Sequence, residues 1–266
     1  TVERRGGAAV LIYANPPFGT MTATGASKMH GALAAAAQDP DVRCIVVTGG
    51  LPGIFIRHYD VTELSDMSDA LAGPAGPSGG EAPPREPGFL ELVDLIAAAP
   101  KPVVAAINGL CMGGGFELSL YCDLRIASPD VAAIGLPETR IGIFPGGGGT
   151  QRLPRIIGEA RALEMILRGL TVDGARAHDL GLVHELASDP LGRALEIADE
   201  FAARPAEGIA YAKRLTRAAL DRPLSEGLAD ERRSFLEVMR TSSAREALRG
   251  ARTPAELLYG DEFRAF

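Results

Sequence analysis

"INGLCMGGGFELSLYCDL", residues 107–124, decides how this 266-residue chain is read. An apolar run ends at Asn108-Gly109, three glycines follow at Gly113, Gly114 and Gly115, and Glu117 comes where a helix would take its first turn. Such a triplet can cradle a phosphate, let two backbones pack closely, or hold a negative charge that exists only during a reaction. The phosphate reading fails on spacing. The stretch lacks the Gly-x-Gly-x-x-Gly of a dinucleotide site with an acid about 20 residues on, and neither it nor "PGGGGTQ" (145–151) has the Gly-Lys-Ser/Thr of a P-loop. Close packing stays open, with Glu117 complementing the helix macrodipole.

Outward from this stretch, "AAVLIYAN" (8–15), "RCIVVTGG" (43–50), "PVVAAING" (102–109) and "DLRIAS" (123–128) are short apolar runs ending at Gly, Asn or Ser. Their length marks buried strands. Helical stretches lie between several of them: residues 24–40, closed by Asp-Pro, and residues 89–102, where Phe89, Leu92, Val93 and Ile96 share a face and Pro100 ends the helix. Alternation of strands and helices predicts an α/β fold with parallel pairing. From about Gly146 onward the pattern is helices alone, which reads as a helical subdomain or an oligomerisation layer. Residues 65–88, rich in Ala, Gly, Pro and Ser, read as a long surface loop or as a lid over a site.

Composition bounds the partners. Hydrophobic residues make up 46% and charged residues 23%, as in a globular protein. A net charge of −7 without a run of like charges gives counterion release on nucleic acid little to work with. Cys44, Cys111 and Cys122 are odd in number and lack a C-x-x-C pair, so reduced buried thiols are expected and a metal site is not. With no apolar stretch of 18 residues and no signal-peptide pattern, the expectation is a cytoplasmic protein with no membrane partner.

A second cluster, "GLPETRIGIFPGGGGTQRLPRIIG" (135–158), sets Glu138 directly after Pro137, near four more glycines and 21 residues beyond Glu117. Two carboxylates in one apolar cleft repel, and their pKa values separate into one acid and one base near neutral pH. Moving water across a double bond needs such a pair. Glu138 can equally be a turn carboxylate.

Together the two stretches resemble the crotonase superfamily, specifically enoyl-CoA hydratases and isomerases. The motifs are N-G-x-x-x-G-G-G-x-E-L, then C-D, G-L-P-E and P-G-x-G-G-T-Q-R-L, and the likeness extends through residues 161–186 and covers almost the whole chain from "VLIYANPP" onward. The resemblance implies a spiral of ββα turns over residues 1–200, followed by a helical region, 201–266, that builds homotrimers or homohexamers. It implies an acyl-CoA thioester substrate, coenzyme A being part of the substrate and no cofactor being needed. It also implies an oxyanion hole made by the backbone N–H groups of Tyr59 and Gly114, with Glu117 activating water and Glu138 handling the α-proton. Arg57, His58, Asp60, Gly113, Pro137 and Gly146 flank these four and are the candidate substrate-binding positions. Arg57 and Lys213 are the basic residues considered for the CoA phosphates. One departure stands out: family members carry small residues and Gly where this chain has Ile56-Arg57-His58. His58 replaces the glycine, and a side chain tolerates positive φ poorly. The Tyr59 donor is therefore expected to be less secure than Gly114, and the Tyr59 ring is free to enter the acyl or pantetheine channel.

Overall fold

The computed structural model describes residues 1–72 and 87–250. The chain divides into two compact units, Thr1–Glu200 and Phe201–Phe266. The first is built on two sheets. In the larger, the order is β1 (Val2–Arg5), β2 (Ala8–Tyr13), β3 (Cys44–Gly49), β5 (Val103–Ile107), β7 (Leu124–Ala127) and β10 (Glu185–Leu186). The smaller has the order β4 (Ile54–Ile56), β6 (Leu110–Met112), β8 (Ile134–Gly135) and β9 (Thr171–Val172). From β2 to β10 the large sheet is parallel, with β1 antiparallel at its edge. Every residue of β3 and β5 is buried, as expected for parallel strands covered on both faces.

The chain winds as a spiral. Three times in succession a strand of the large sheet leads through a short link into a strand of the small one: β3 to β4, β5 to β6, β7 to β8. The helices of this unit are α1 (Ala23–Gln38), α2 (Val61–Ala72), α3 (Phe89–Ala98), α4 (Gly114–Tyr121), α5 (Gly149–Ile157), α6 (Glu159–Leu167), α7 (Gly174–Asp179) and α8 (Pro190–Ala202), the last running two residues past the unit boundary. Helix α1 buries Ala26, Met29, Leu33 and Ala36, one helical stripe, and α3 buries Leu92, Val93 and Ile96. These faces pack together over the sheet.

Two expectations need correction. The region after Gly146 is not helices alone, because β9 and β10 each add a two-residue strand, too short to leave a periodic trace. Residues 65–72 are not loop but the end of α2. That helix buries no side chain, so its sequence shows no apolar face. The remainder of the expected loop, 73–86, lies outside the described residues.

The second unit contains α9 (Ala206–Ala218), α10 (Leu224–Val238) and α11 (Ser242–Gly250). Asp230, almost fully buried on α10, accepts hydrogen bonds from Arg214, Arg222, Arg233 and Ser234. The arginines, Arg214 foremost, hold its carboxyl well below the usual range. The three cysteines are buried thiols in the first unit. Among the described residues no helix is long and apolar enough to cross a membrane, and no group of three or more His, Cys, Asp or Glu side chains is placed to hold a metal ion.

Candidate active site

Each glycine of the triplet has its own physical cause. Gly113 caps α4 at φ 50°, in the left-handed region that side chains avoid. A methyl on Gly115 would stand 2.0 Å from the Ile56 carbonyl oxygen, so close backbone packing forbids any side chain there. Gly114 opens the helix, and a methyl on it would lie 3.3 Å from the Tyr59 backbone nitrogen. The backbones of Gly114 and Tyr59 are thereby packed against each other. Among the described residues neither N–H group meets an acceptor, although the neighbouring groups are paired: Met21 N–H donates to the His58 carbonyl and Asp60 N–H to the Met21 carbonyl. Two N–H groups without acceptors, one of them at a helix N-terminus, are suited to an oxygen that gains negative charge.

Glu117 sits in the first turn of α4 and is 4% exposed. Its Oε1 accepts from Gly147 N–H and Gly149 N–H, both at 2.8 Å, at the start of α5. Burial raises its pKa, and the two N–H groups oppose that rise. A methyl on Gly147 would stand 2.7 Å from Glu117 Oε2 and one on Gly149 would stand 3.1 Å from Oε1, so both glycines let the backbone reach the carboxylate. The Arg152 guanidinium lies 3.6 Å above the Tyr121 ring and ties α5 to the C-terminal end of α4.

Glu138 reaches the same place from another strand. Met112 pairs with Gly135, and Gly113 N–H donates to the Gly135 carbonyl at 2.9 Å, which brings the turn after β8 over the triplet. That turn is a 3₁₀ helix, Glu138–Ile141, opened by Pro137. Glu138 Oε1 lies 3.1 Å from where a methyl on Gly113 would be. Oε2 is buried and meets no hydrogen-bond partner among the described residues. Burial above all, with the Glu117 charge adding to it, pushes the Glu138 pKa up to about 7. Two interacting carboxylates with raised pKa values make this cleft the candidate site.

The flanking candidates are used differently. Asp60 is taken up by structure: its carboxylate accepts from the Thr20 hydroxyl and from Thr62 and Glu63 N–H groups, capping α2. His58 packs its Cβ beside Gly113, and its Nδ1–H donates to the Tyr59 carbonyl at 2.7 Å. The concern over positive φ does not apply, because among the described residues only glycines take positive φ. Arg57 is half-buried, its N–H on the Gly19 carbonyl and its carbonyl accepting from Met112. Gly146 is exposed, and the carboxylate is held by Gly147 and Gly149 instead. Lys213 lies on α9 of the second unit. The Tyr59 ring stands edge-on to Phe89, centroids 5.8 Å apart; burial first, then the nearby Glu63 carboxylate, pushes the phenol up to about 12.

Comparison with known proteins places the chain in a family. A profile of the enoyl-CoA hydratase/isomerase family matches residues 3–254. The rat mitochondrial methylglutaconyl-CoA hydratase is 36% identical over 223 residues, covering 82% of this chain and 67% of that one. Mouse mitochondrial enoyl-CoA hydratase domain-containing protein 2 is 38% identical over 232 residues, 84% of this chain and 73% of that one. Among solved structures, the enoyl-CoA hydratase from Bacillus anthracis superposes with a TM-score of 0.83 at 27% identity, covering 94% of each chain. That from Polaromonas sp. JS666 gives 0.82 at 28%, covering 97% of this chain and 96% of that one. With the profile spanning nearly its full length, the chain belongs to the enoyl-CoA hydratase/isomerase family of the crotonase superfamily.

Proposed function

We propose that the chain is an enoyl-CoA hydratase, adding water across the double bond of a 2-enoyl-CoA thioester. The observation that carries this reading is the pair of buried, interacting carboxylates beside two backbone N–H groups that meet no acceptor among the described residues. The thioester oxygen sits on the Tyr59 and Gly114 N–H groups, which draw electrons from the conjugated double bond and make the β-carbon electrophilic. Glu117, oriented by Gly147 and Gly149, takes a proton from the water that attacks that carbon. Glu138 delivers its proton to the α-carbon as the enolate collapses. The pair holds one proton throughout, consistent with a pKa near 7 on one member. No electrons change hands, so neither a redox cofactor nor a metal is required, and coenzyme A enters only as part of the substrate.

An isomerase needs a single base to carry a proton between two carbons, whereas hydration uses a base for water and an acid for carbon. The retained pair therefore favours hydration. Relatives named as hydratases lend the same support. The test is incubation of the purified chain with crotonyl-CoA, followed by loss of the conjugated chromophore and gain of a 3-hydroxyacyl product. Turnover of a 3-enoyl thioester to its 2-enoyl isomer, with no hydration, would replace this reading by the isomerase one. In the second unit Leu220, Leu224, Phe235 and Leu236 are 60–76% exposed in the single chain, which supports self-association as a trimer or hexamer. Light scattering at micromolar concentration checks it, a monomeric mass being the contrary result.

A further inference from the structure

Phe89 opens α3, on the same apolar face as Leu92, Val93 and Ile96. Those three enter the core, but Phe89 is only half-buried and its ring turns toward the site. Its Cζ lies 3.7 Å from where a methyl on Gly114 would stand, and its Cε1 lies 2.6 Å from the corresponding point on Gly147. That second point is also 2.7 Å from Glu117 Oε2. One ring edge therefore runs from Gly114 to the Glu117 carboxylate. The Tyr59 ring backs it at an interplanar angle of 78°. Retreat into the core is blocked, because Leu92, Val93 and Ile96 already fill it.

We propose that Phe89 determines specificity at the acyl β-carbon, admitting compact substituents such as a methyl group and rejecting branched or aromatic ones. The identity of that carbon rests on the hydratase reading. The steric claim holds for any acyl thioester seated on the Gly114 and Tyr59 donors, since the carbon two bonds beyond the carbonyl must pass the ring edge on its way toward Glu117. An apolar wall typically discriminates about 10- to 200-fold per methylene added or removed.

The test compares Phe89→Ala and Phe89→Leu with wild type, and with Leu90→Ala, an exposed neighbour on the same turn, as control. Two saturated, unreactive thioesters, butyryl-CoA and 3-phenylpropionyl-CoA, give a ratio of dissociation constants; crotonyl-CoA and cinnamoyl-CoA give a ratio of kcat/KM. Phe89→Ala is expected to shift both ratios toward the phenyl compound by about tenfold or more, Phe89→Leu by a smaller factor in the same direction, and Leu90→Ala by less than about twofold. Binding ratios within about twofold of wild type in folded Phe89→Ala overturn the proposal, and Phe89→Leu decides by the same criterion if the alanine variant does not fold. A shifted binding ratio with no hydration of any 2-enoyl thioester leaves the selector standing and removes the hydratase reading. Hydration with an unshifted ratio removes the selector alone. A wild-type chain that binds none of these thioesters removes both.

Discussion

The two glycine-rich turns, 113–115 and 146–149, look alike in sequence and differ in what their N–H groups meet. Each runs into a helix, α4 or α5, whose first residue is a glycine. At the second turn an acceptor is already in place: Gly147 and Gly149 donate to the Glu117 carboxylate. At the first turn the Gly114 N–H meets no acceptor among the described residues. Local composition does not separate a turn whose N–H groups hold a carboxylate from one whose N–H group is left without an acceptor. What separates them is which side chain the fold returns to each.

The largest effects should come from the carboxylates that the two turns bring together. Glu117→Gln and Glu138→Gln are each expected to lower kcat for hydration by about 100- to 10,000-fold, the range for general acid–base catalysis. Steady-state rates on crotonyl-CoA check this, and near-wild-type turnover in either variant would remove that residue from the mechanism. A methyl at the second turn comes next. Gly147→Ala meets Phe89 and Glu117 at 2.6–2.7 Å, whereas Gly146→Ala finds its nearest atom at 3.9 Å. Crowding of that kind costs about 1–3 kcal/mol, so activity should fall about tenfold or more for Gly147→Ala and stay within about threefold for Gly146→Ala. Equal losses would mean that the second turn is not the holder of Glu117.

A pH series sharpens the contrast between a paired and an unpaired carboxylate. Glu138 must be protonated to deliver its proton, so kcat/KM should fall as pH rises above about 7. The smallest effect is on stability, and its sign follows from the same group. In the unfolded chain Glu138 ionises near its ordinary value, about 4.3, and in the fold only near 7. Between these the unfolded state binds fewer protons, so this group lowers stability as pH rises through that window. Glu138→Gln should therefore gain in Tm relative to wild type between pH 4.5 and 7.5, by a few degrees. Thermal denaturation at both pH values checks it, a constant difference being the contrary outcome.

Much of this architecture was legible. The apolar runs at 43–50 and 102–109 have no polar alternation because their strands are covered on both faces, and their alternation with helices pointed to the parallel sheet. The motif around Gly113–Glu117 carried the family. The hold of Gly147 and Gly149 on Glu117 was not legible, since it spans about 30 residues and depends on how α5 docks against α4. Nor was the inward turn of Phe89, because helical spacing places it with core residues. The start of α2 does leave a trace in the sequence: Asp60-Val61-Thr62-Glu63 has the spacing of a capping box. Asp60 caps the helix, while Glu63 reaches Ala23 N–H instead.

The central claim is that the Gly114 N–H is kept for charge that appears during the reaction. Side-chain substitution tests it poorly, since a methyl there would press on Tyr59 Cβ at 3.1 Å. Replacing the amide between Gly113 and Gly114 by an ester, with glycolic acid incorporated at position 114, exchanges the N–H for an oxygen and adds no bulk. Turnover of crotonyl-CoA at saturation should drop by about 100- to 1,000-fold, the typical cost of one oxyanion donor, while the dissociation constant for butyryl-CoA stays within about threefold, as expected for an interaction made mainly in the transition state. A folded ester-containing chain that turns over crotonyl-CoA at the wild-type rate would contradict the claim and leave the triplet a packing device.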